Sequence, residues 1–246
     1  MYNISLGNRR ALVTGSSRGI GKAIAKGLLR AGCTICLNGR YKKDLKPVAK
    51  ELSKIGPVEI HVCDLSNDSA VDQLALDVKE IDILVLNAAL QIRKAWSEIS
   101  KEDINRQVAV NLQANLKLLQ AIVPGMEGRG WGRVILVSSI QHQKPHPQMM
   151  VYASLKSGLI NIMHNLAGIV AKNGVTINAI SPGVIATEVN RDALTDPIYR
   201  KKVLENIPVG RFGEPEDCVG AALFLCAEES SFVTGIDIPV NGGGSF

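Results

Sequence analysis

Short apolar runs alternate with helical patterns along the whole chain, and this alternation constrains the fold more than any other feature. RRALVT (9–14), TICLN (34–38), VEIHVC (58–63), IDILVLN (81–87), GRVILVSS (132–139), VTINAIS (175–181) and GIDIPV (235–240) read as seven strands. Helices are expected at about 20–31, 42–54, 67–79, 101–126 and 149–172, in pieces across 188–207, and from 215 to about 227. Asn67 suits a helix N-cap and Pro215 a first helical turn. Strands that are apolar throughout, each followed by a helix, must be covered on both faces. The expectation is an α/β fold, a parallel sheet between helical layers. The 246 residues carry no repeat, linker or low-complexity tract, so 1–246 reads as a single domain.

Composition narrows the function classes. Hydrophobic residues make up 46% of the chain, enough for a sizeable core and against disorder. The net charge of +5 is scattered, which favours an anionic small molecule over nucleic acid. No apolar run is long enough to span a membrane, and the amino terminus lacks the apolar stretch of a secretion signal. Five cysteines, an odd number, show no framework spacing. Cys33 and Cys36 form a CxxC, but on a strand such positions face opposite ways, and no second pair completes a zinc site. The reading is no metal and buried thiols in a reducing cytoplasm.

The first strand runs into TGSSRGIG (14–21), with glycines at 15, 19 and 21 ahead of a helix. Gly15 permits a tight turn, Gly19 a close approach of backbone to a pyrophosphate, and Gly21 close packing. The helix N-terminus adds free N–H groups for the anion, with Ser17, Arg18 and Ile20 in the same loop. The G-x-x-x-G-x-G spacing resembles that of the short-chain dehydrogenase/reductase family. The resemblance continues in order through CDL (63–65), LNAAL (86–90), VNL (110–112), SSI (138–140), YASLK (152–156), SPGVIAT (181–187) and VNGG (240–243). It implies a Rossmann-type doubly wound fold of seven parallel strands. It also implies a cytoplasmic homotetramer or homodimer, with a substrate lid at about 188–207. In the coenzyme site it implies Asp64 and Leu65 near the adenine, then Asn87, Ala88, Pro182, Gly183, Val184 and Thr187. The chain departs from the family pattern at Leu86, commonly asparagine, and at Ala89, commonly glycine.

The end of the second strand bears on which nicotinamide nucleotide is used. An acidic residue there would hold the ribose 2′-hydroxyl of NAD and repel a 2′-phosphate. ICLNGRY (35–41) has no carboxylate. Arg40, joined by Arg18, can fork a phosphate, and Asn38 can support the ribose. The expected coenzyme is NADP(H).

Tyr152 and Lys156 stand one helical turn apart, so an ammonium can lower the phenol's pKa toward neutrality for acid–base work. A bare Y-x-x-x-K is common. The pair gains meaning from Ser139, thirteen residues upstream at the carboxyl end of the fifth strand, where parallel sheets bind ligands. A hydroxyl there can steady negative charge on a substrate oxygen. Strand alternation sends its neighbour Ser138 the other way. With Asn111, these residues resemble the family's Asn-Ser-Tyr-Lys tetrad, in which the asparagine holds a water for proton relay.

Gln141 and His142, in IQHQKPHPQMM (140–150), are candidates to touch substrate. The substrate is expected to be a small-molecule ketone or secondary alcohol. Two forms stay open: a 3-oxoacyl thioester on acyl carrier protein, approached through Arg129 and Lys172, or a sugar, polyol or small hydroxyketone. A catalytically silent dinucleotide-binding regulator is the alternative outside enzymes.

Overall fold

The computed structural model describes residues 4–78, 80–188, 190 and 195–244. Seven strands form one sheet: β1 (Arg10–Val13), β2 (Thr34–Gly39), β3 (Val58–Val62), β4 (Ile83–Leu86), β5 (Gly132–Val137), β6 (Val175–Pro182) and β7 (Asp237–Val240). All pairings are parallel, and the spatial order is β3-β2-β1-β4-β5-β6-β7. The order reverses direction between β1 and β4, the switch point where doubly wound sheets open a crevice for ligands.

The helices are α1 (Gly19–Arg30), α2 (Lys42–Leu52), α3 (Asp68–Asp77), α4 (Lys101–Val108), α5 (Ala114–Arg129), α6 (Met150–Val170), α7 (Pro197–Leu204) and α8 (Asp217–Cys226). Asn67 caps α3 as expected, its side chain accepting from the Ala70 N–H. The expected end of that helix, residue 79, lies outside the described residues. Pro215 precedes α8 instead of opening it, because the helix begins at Asp217. Of the lid expected at 188–207, residues 189 and 191–194 lie outside the described residues, and the described part carries α7.

Strand alternation divides the core in two. Leu12, Cys36, Leu84, Leu86, Val134 and Leu136 pack under α3, α5 and α6. Ala11, Val13, Ile35, Leu37, Val85 and Ile135 pack under α1, α2 and α8. All six residues of β5 are buried, as expected of a central parallel strand. Each aliphatic side chain so buried contributes about 1.5–3 kcal/mol. Leu86, where the family commonly has asparagine, is one of these core residues, fully buried.

The segment expected as one helix at 101–126 is interrupted. Residues Ala109–Gln113 form a π-helical turn between α4 and α5. Two side-chain amides bond carbonyls along this turn: Asn111 Nδ2 donates to Gln107 O at 2.9 Å, and Asn115 Nδ2 donates to Asn111 O at 2.8 Å. Such turns are rare and concentrate at functional sites.

Candidate active site

A cleft of about 360 Å³ opens at the switch point, over the carboxyl ends of β1 to β4. Its floor is the loop from Gly15 to Gly21. Gly15 has φ +64°, a conformation that favours glycine, and a Cβ there would lie 2.9 Å from Ala88 Cα. A Cβ on Gly21 would lie 2.4 Å from Asn87 Nδ2 and 2.5 Å from Gly15 O. The close packing expected of Gly21 is therefore against the loop and the Asn87 amide.

Asn87 stitches the cleft together. Its Nδ2 donates to Thr14 O at 2.8 Å and to Gly15 O at 3.2 Å. The Thr14 hydroxyl accepts from the N–H groups of Asn87 and Ala88 at 2.9 and 3.0 Å. The ends of β1 and β4 are thus locked to each other. Ala89, the second departure from the family pattern, lines the cleft as an exposed residue.

Ser17, Arg18, Gly19, Ile20, Asn38 and Arg40 all reach this cleft, as do Asp64, Leu65, Ala88 and Thr187. Two of them are already engaged. Asn38 is buried; its Oδ1 accepts from Gly15 N–H at 3.4 Å and its Nδ2 donates to His61 O at 3.2 Å, so its amide braces the loop and is not turned to a ribose. Arg18 pairs with Glu188 at 2.7 Å across the mouth. Both side chains are more than half exposed (60% and 52%), so the pair is weak enough to exchange Glu188 for a phosphate. Arg40 is exposed, with its guanidinium 5.6 Å over the Tyr41 ring. Glu188 and Arg106 line the cleft without having been singled out in the sequence. Adjacency was the available signal: Glu188 directly follows SPGVIAT.

Pro182, Gly183 and Val184 lie beyond the residues lining this cleft. Pro182 closes β6, and a Cβ on Gly183 would lie 2.8 Å from Asn241 Cβ. Val184 O accepts from the Gly213 N–H at 3.0 Å.

Ser139, Tyr152 and Lys156 come together at the carboxyl end of β5. Ser139 caps a short helical turn (Ile140–His142), its hydroxyl accepting from Gln141 N–H at 3.2 Å. Ser138 faces the other way, donating to Lys156 O at 3.3 Å. Burial pushes the Tyr152 phenol up to about 12, while a hydrogen bond with Ser139 works to lower it. Lys156 is 1% exposed, and burial brings its ammonium down to about 8. Its Nζ donates to Val137 O at 2.7 Å and stands 5.6 Å from the Tyr152 ring centroid. The expected depression of the phenol by Lys156 is not what the protein's own groups produce. The lysine's charge is turned to a backbone carbonyl, and desolvation of the phenolate dominates.

The side chain of Asn111 braces the backbone around the site. Its side chain is fully buried and engaged at both ends: Oδ1 accepts from Leu90 N–H at 3.2 Å, and Nδ2 donates to Leu90 O at 2.8 Å. The amide holds the segment after β4.

The substrate candidates separate. His142 was expected to touch substrate, but both its ring nitrogens face protein oxygens behind Ser139. Gln141 carries its Oε1 buried and without a hydrogen-bond partner among the described residues.

The cysteines fit the thiol reading. Cys33 and Cys36 belong to the two opposite core layers, and all five cysteines are free and buried. Cys36, Glu59 and His61 bring ligating atoms within 4.8 Å of one another. The Arg10 guanidinium is the cation there, 2.8 Å from Glu59 and 3.7 Å from Cys36 Sγ, and burial pushes that thiol up to about 11.

Sheet order and cleft define a doubly wound α/β protein of the dinucleotide-binding type. The family described as enoyl-(acyl carrier protein) reductase matches residues 15–245. The 3-oxoacyl-[acyl-carrier-protein] reductase FabG of Rickettsia bellii is 34% identical over 240 residues, covering 98% of each chain. Gluconate 5-dehydrogenase of Gluconobacter oxydans is 35% identical over 244 residues, covering 97% of this chain and 95% of that protein. A crystal structure of a 3-oxoacyl (acyl-carrier-protein) reductase from Agrobacterium tumefaciens with NADP bound superposes with a TM-score of 0.93 at 38% identity, covering 97% of this chain and 95% of the other. The chain belongs to the short-chain dehydrogenase/reductase family.

Proposed function

We propose that the protein is an NADP(H)-dependent oxidoreductase interconverting a ketone and a secondary alcohol, with Tyr152 as the proton donor and acceptor. The observation that carries this is the Ser139–Tyr152 hydroxyl pair at the end of β5, with Lys156 buried one turn along. Burial keeps Tyr152 protonated at neutral pH, ready to give its proton to a carbonyl oxygen. Ser139 bonds that oxygen and steadies its developing charge. In the alcohol-oxidising direction Tyr152 must first ionise, and the Ser139 hydrogen bond lowers that cost.

The residues present fit the coenzyme, whose nicotinamide supplies or accepts the hydride when bound. The Gly15–Gly21 loop and the α1 N-terminus suit the pyrophosphate. Asp64 and Leu65 would hold the adenine end, Asn87, Ala88 and Thr187 line the cleft it would occupy, and Pro182, Gly183 and Val184 would hold the nicotinamide end. Arg40, exposed at the cleft with no carboxylate at the end of β2, would take the 2′-phosphate. Arg40→Asp is expected to shift the preference from NADPH toward NADH by roughly 10–100-fold in kcat/KM, the range of a lost charge-assisted bond. An unchanged preference in steady-state kinetics removes Arg40 from this role.

Gln141 favours a hydroxylated substrate. Its buried, unpartnered carbonyl oxygen lies two residues from Ser139 and would be satisfied by a hydroxyl next to the reacting carbon. That suits a sugar, polyol or hydroxyketone. The thioester reading draws support from the relatives named as acyl-carrier-protein reductases. Against it, Arg129 is drawn inward to Ile81 O at 2.6 Å and toward Asp82 at 3.6 Å, and is only partly free for an acidic carrier. NADPH oxidation across ketoses, hydroxyketones and acetoacetyl thioesters separates the two. Turnover confined to thioesters overturns the hydroxylated reading.

We take the chain as one domain, since one sheet gathers every strand. No helix among the described residues is long and apolar enough to cross a membrane. Five free thiols fit a reducing cytoplasm. Phe224, Phe232 and Ile236, exposed on and after α8, suit self-association into a homodimer or homotetramer.

A further inference from the structure

The segment that leaves β4 is held at every second residue. Leu90 is gripped by Asn111, whose Oδ1 accepts from its N–H at 3.2 Å and whose Nδ2 donates to its carbonyl at 2.8 Å. Ile92 N–H donates to Oε1 of the buried Gln107 at 3.2 Å. Lys94 Nζ pairs with Asp103 at 2.6 Å, and Lys94 N–H donates to Gln148 O at 3.1 Å. Gln91 and Arg93 are the residues between. Two positions apart, they share one face of an extended chain. With the Gln91 amide oxygen turned to Arg93, that oxygen accepts from Nε at 2.7 Å and from Nη2 at 3.2 Å. Arg93 Nη2 also lies 3.4 Å from Asn190 Oδ1, in the segment after β6. The strand between β4 and β6 is β5, so this contact crosses two strand spacings, about 10 Å, at the sheet end that carries Ser139.

Both partners of Arg93 are neutral amide oxygens, and among the described residues no carboxylate pairs with its guanidinium. The neighbouring cation, Lys94, is matched by Asp103. The loop after β5 supplies no anion either. Burial, and then the charge of Arg93, hold the His146 imidazole below its ordinary basicity, so it is neutral at pH 7. We propose that Arg93, oriented by Gln91, is a specificity-determining residue that binds a carboxylate of the substrate, which makes the substrate a hydroxylated keto acid. This rests on the reading of the site as one that reduces a hydroxylated ketone, and it names the substrate class within that reading. Gln91 takes the Nε side of the guanidinium, which leaves the edge between Nη1 and Nη2 for a ligand. That planar fork matches the two oxygens of a carboxylate, and one charge offsets one charge. The Asn190 contact to Nη2 is long at 3.4 Å and yields to a charged acceptor. Recognition then has three points: the reacting carbonyl at Ser139 and Tyr152, a hydroxyl at Gln141 Oε1, and the carboxylate at Arg93.

The test uses the full-length protein with NADPH. Reduction is compared for a six-carbon keto-aldonic acid, for the neutral ketose of the same length, and for that ketose's phosphate ester. Wild type is expected to prefer the acid over the neutral ketose by about 10–100-fold in kcat/KM, the range of a charge-assisted bond. Arg93→Gln is expected to abolish the preference, with the loss in KM and not in kcat, because the contact lies away from the reacting carbon. Arg93→Lys keeps the charge without the fork and is expected to fall between the two. A wild type indifferent between acid and neutral ketose overturns the proposal, and so does a preference that survives Arg93→Gln. A phosphate ester turned over better than the acid overturns the carboxylate. If Arg93→Gln melts at the assay temperature, wild type decides: added salt is expected to raise KM for the acid relative to KM for the neutral ketose, and parallel values overturn the proposal. Turnover of acetoacetyl thioesters with none of the acid or the ketoses removes the underlying reading and the proposal with it. Turnover of the neutral ketose with none of the acid removes only the proposal.

Discussion

Tyr152→Phe is expected to lower kcat by about 10³-fold while NADPH affinity stays within about twofold of wild type. The substitution removes one oxygen and nothing else. The ring is 9% exposed and packed, and phenylalanine fills the same space. The lost hydroxyl is bonded to Ser139, whose own hydroxyl keeps its contact from Gln141 N–H. The fold and the coenzyme cleft therefore survive, and only the proton donor is gone. Steady-state turnover together with fluorescence titration of NADPH checks both halves. A variant with near-normal kcat removes Tyr152 from acid–base duty.

Lys156→Met carries the second large effect, in two opposite directions. Turnover is expected to fall roughly 100-fold, since the buried donor that Val137 O fixes beside Tyr152 is gone from the reaction centre. Stability near pH 7 is expected to rise. Burial brings the Lys156 ammonium from its ordinary 10.5 down to about 8. Below pH 8 folded and unfolded chains both hold the proton, so the folded state carries the full desolvation cost, on the order of 3 kcal/mol. Between pH 8 and 10.5 the folded chain releases the proton while the unfolded chain keeps it, and the cost fades. Methionine removes the cost but also the bond to Val137 O, a loss of about 1 kcal/mol. The variant should melt higher than wild type at pH 7, and the advantage should shrink toward pH 10. Thermal melts at the two pH values check this, and an advantage that grows with pH contradicts it.

The central strands were legible because runs such as ILVL in β4 and VILV in β5 are apolar and buried throughout, which burial on both faces explains, whereas β3 and β7 at the sheet edges are mixed and only partly buried. The coenzyme loop was legible because its glycines sit at fixed offsets between a strand and a helix. The Ser139–Tyr152–Lys156 grouping was legible from one distance along the chain combined with the rule that ligands meet strand ends. Other features depend on partners far away in sequence. Nothing near His142 reveals that Asp237 will reach it from β7, so a loop histidine read as a substrate contact. Asn38 and Asn111 carry residue types that suit ligands, but their amides are used by backbone from other elements. The phenol's shift could not be read from charge spacing alone, because burial, a property of the assembled fold, sets its direction. The π-helical turn changes hydrogen-bond register without changing composition, so 101–126 looked uninterrupted.

That turn has a consequence for how the chain can vary. The single π-helical turn at Ala109–Gln113 gives the segment from Lys101 to Arg129 one residue more than an unbroken α-helix of the same reach. Substitutions on its surface leave the count unchanged. A deletion between Gln107 and Asn115 would instead let the helix close up, rotating everything beyond it by roughly 100° about the axis. The face of α5 that packs on α3 would swing away, and Asn111 would lose its grip on Leu90. Length in this stretch is therefore under tighter constraint than identity, and divergence there is expected to proceed by exchange of residues and not by their gain or loss.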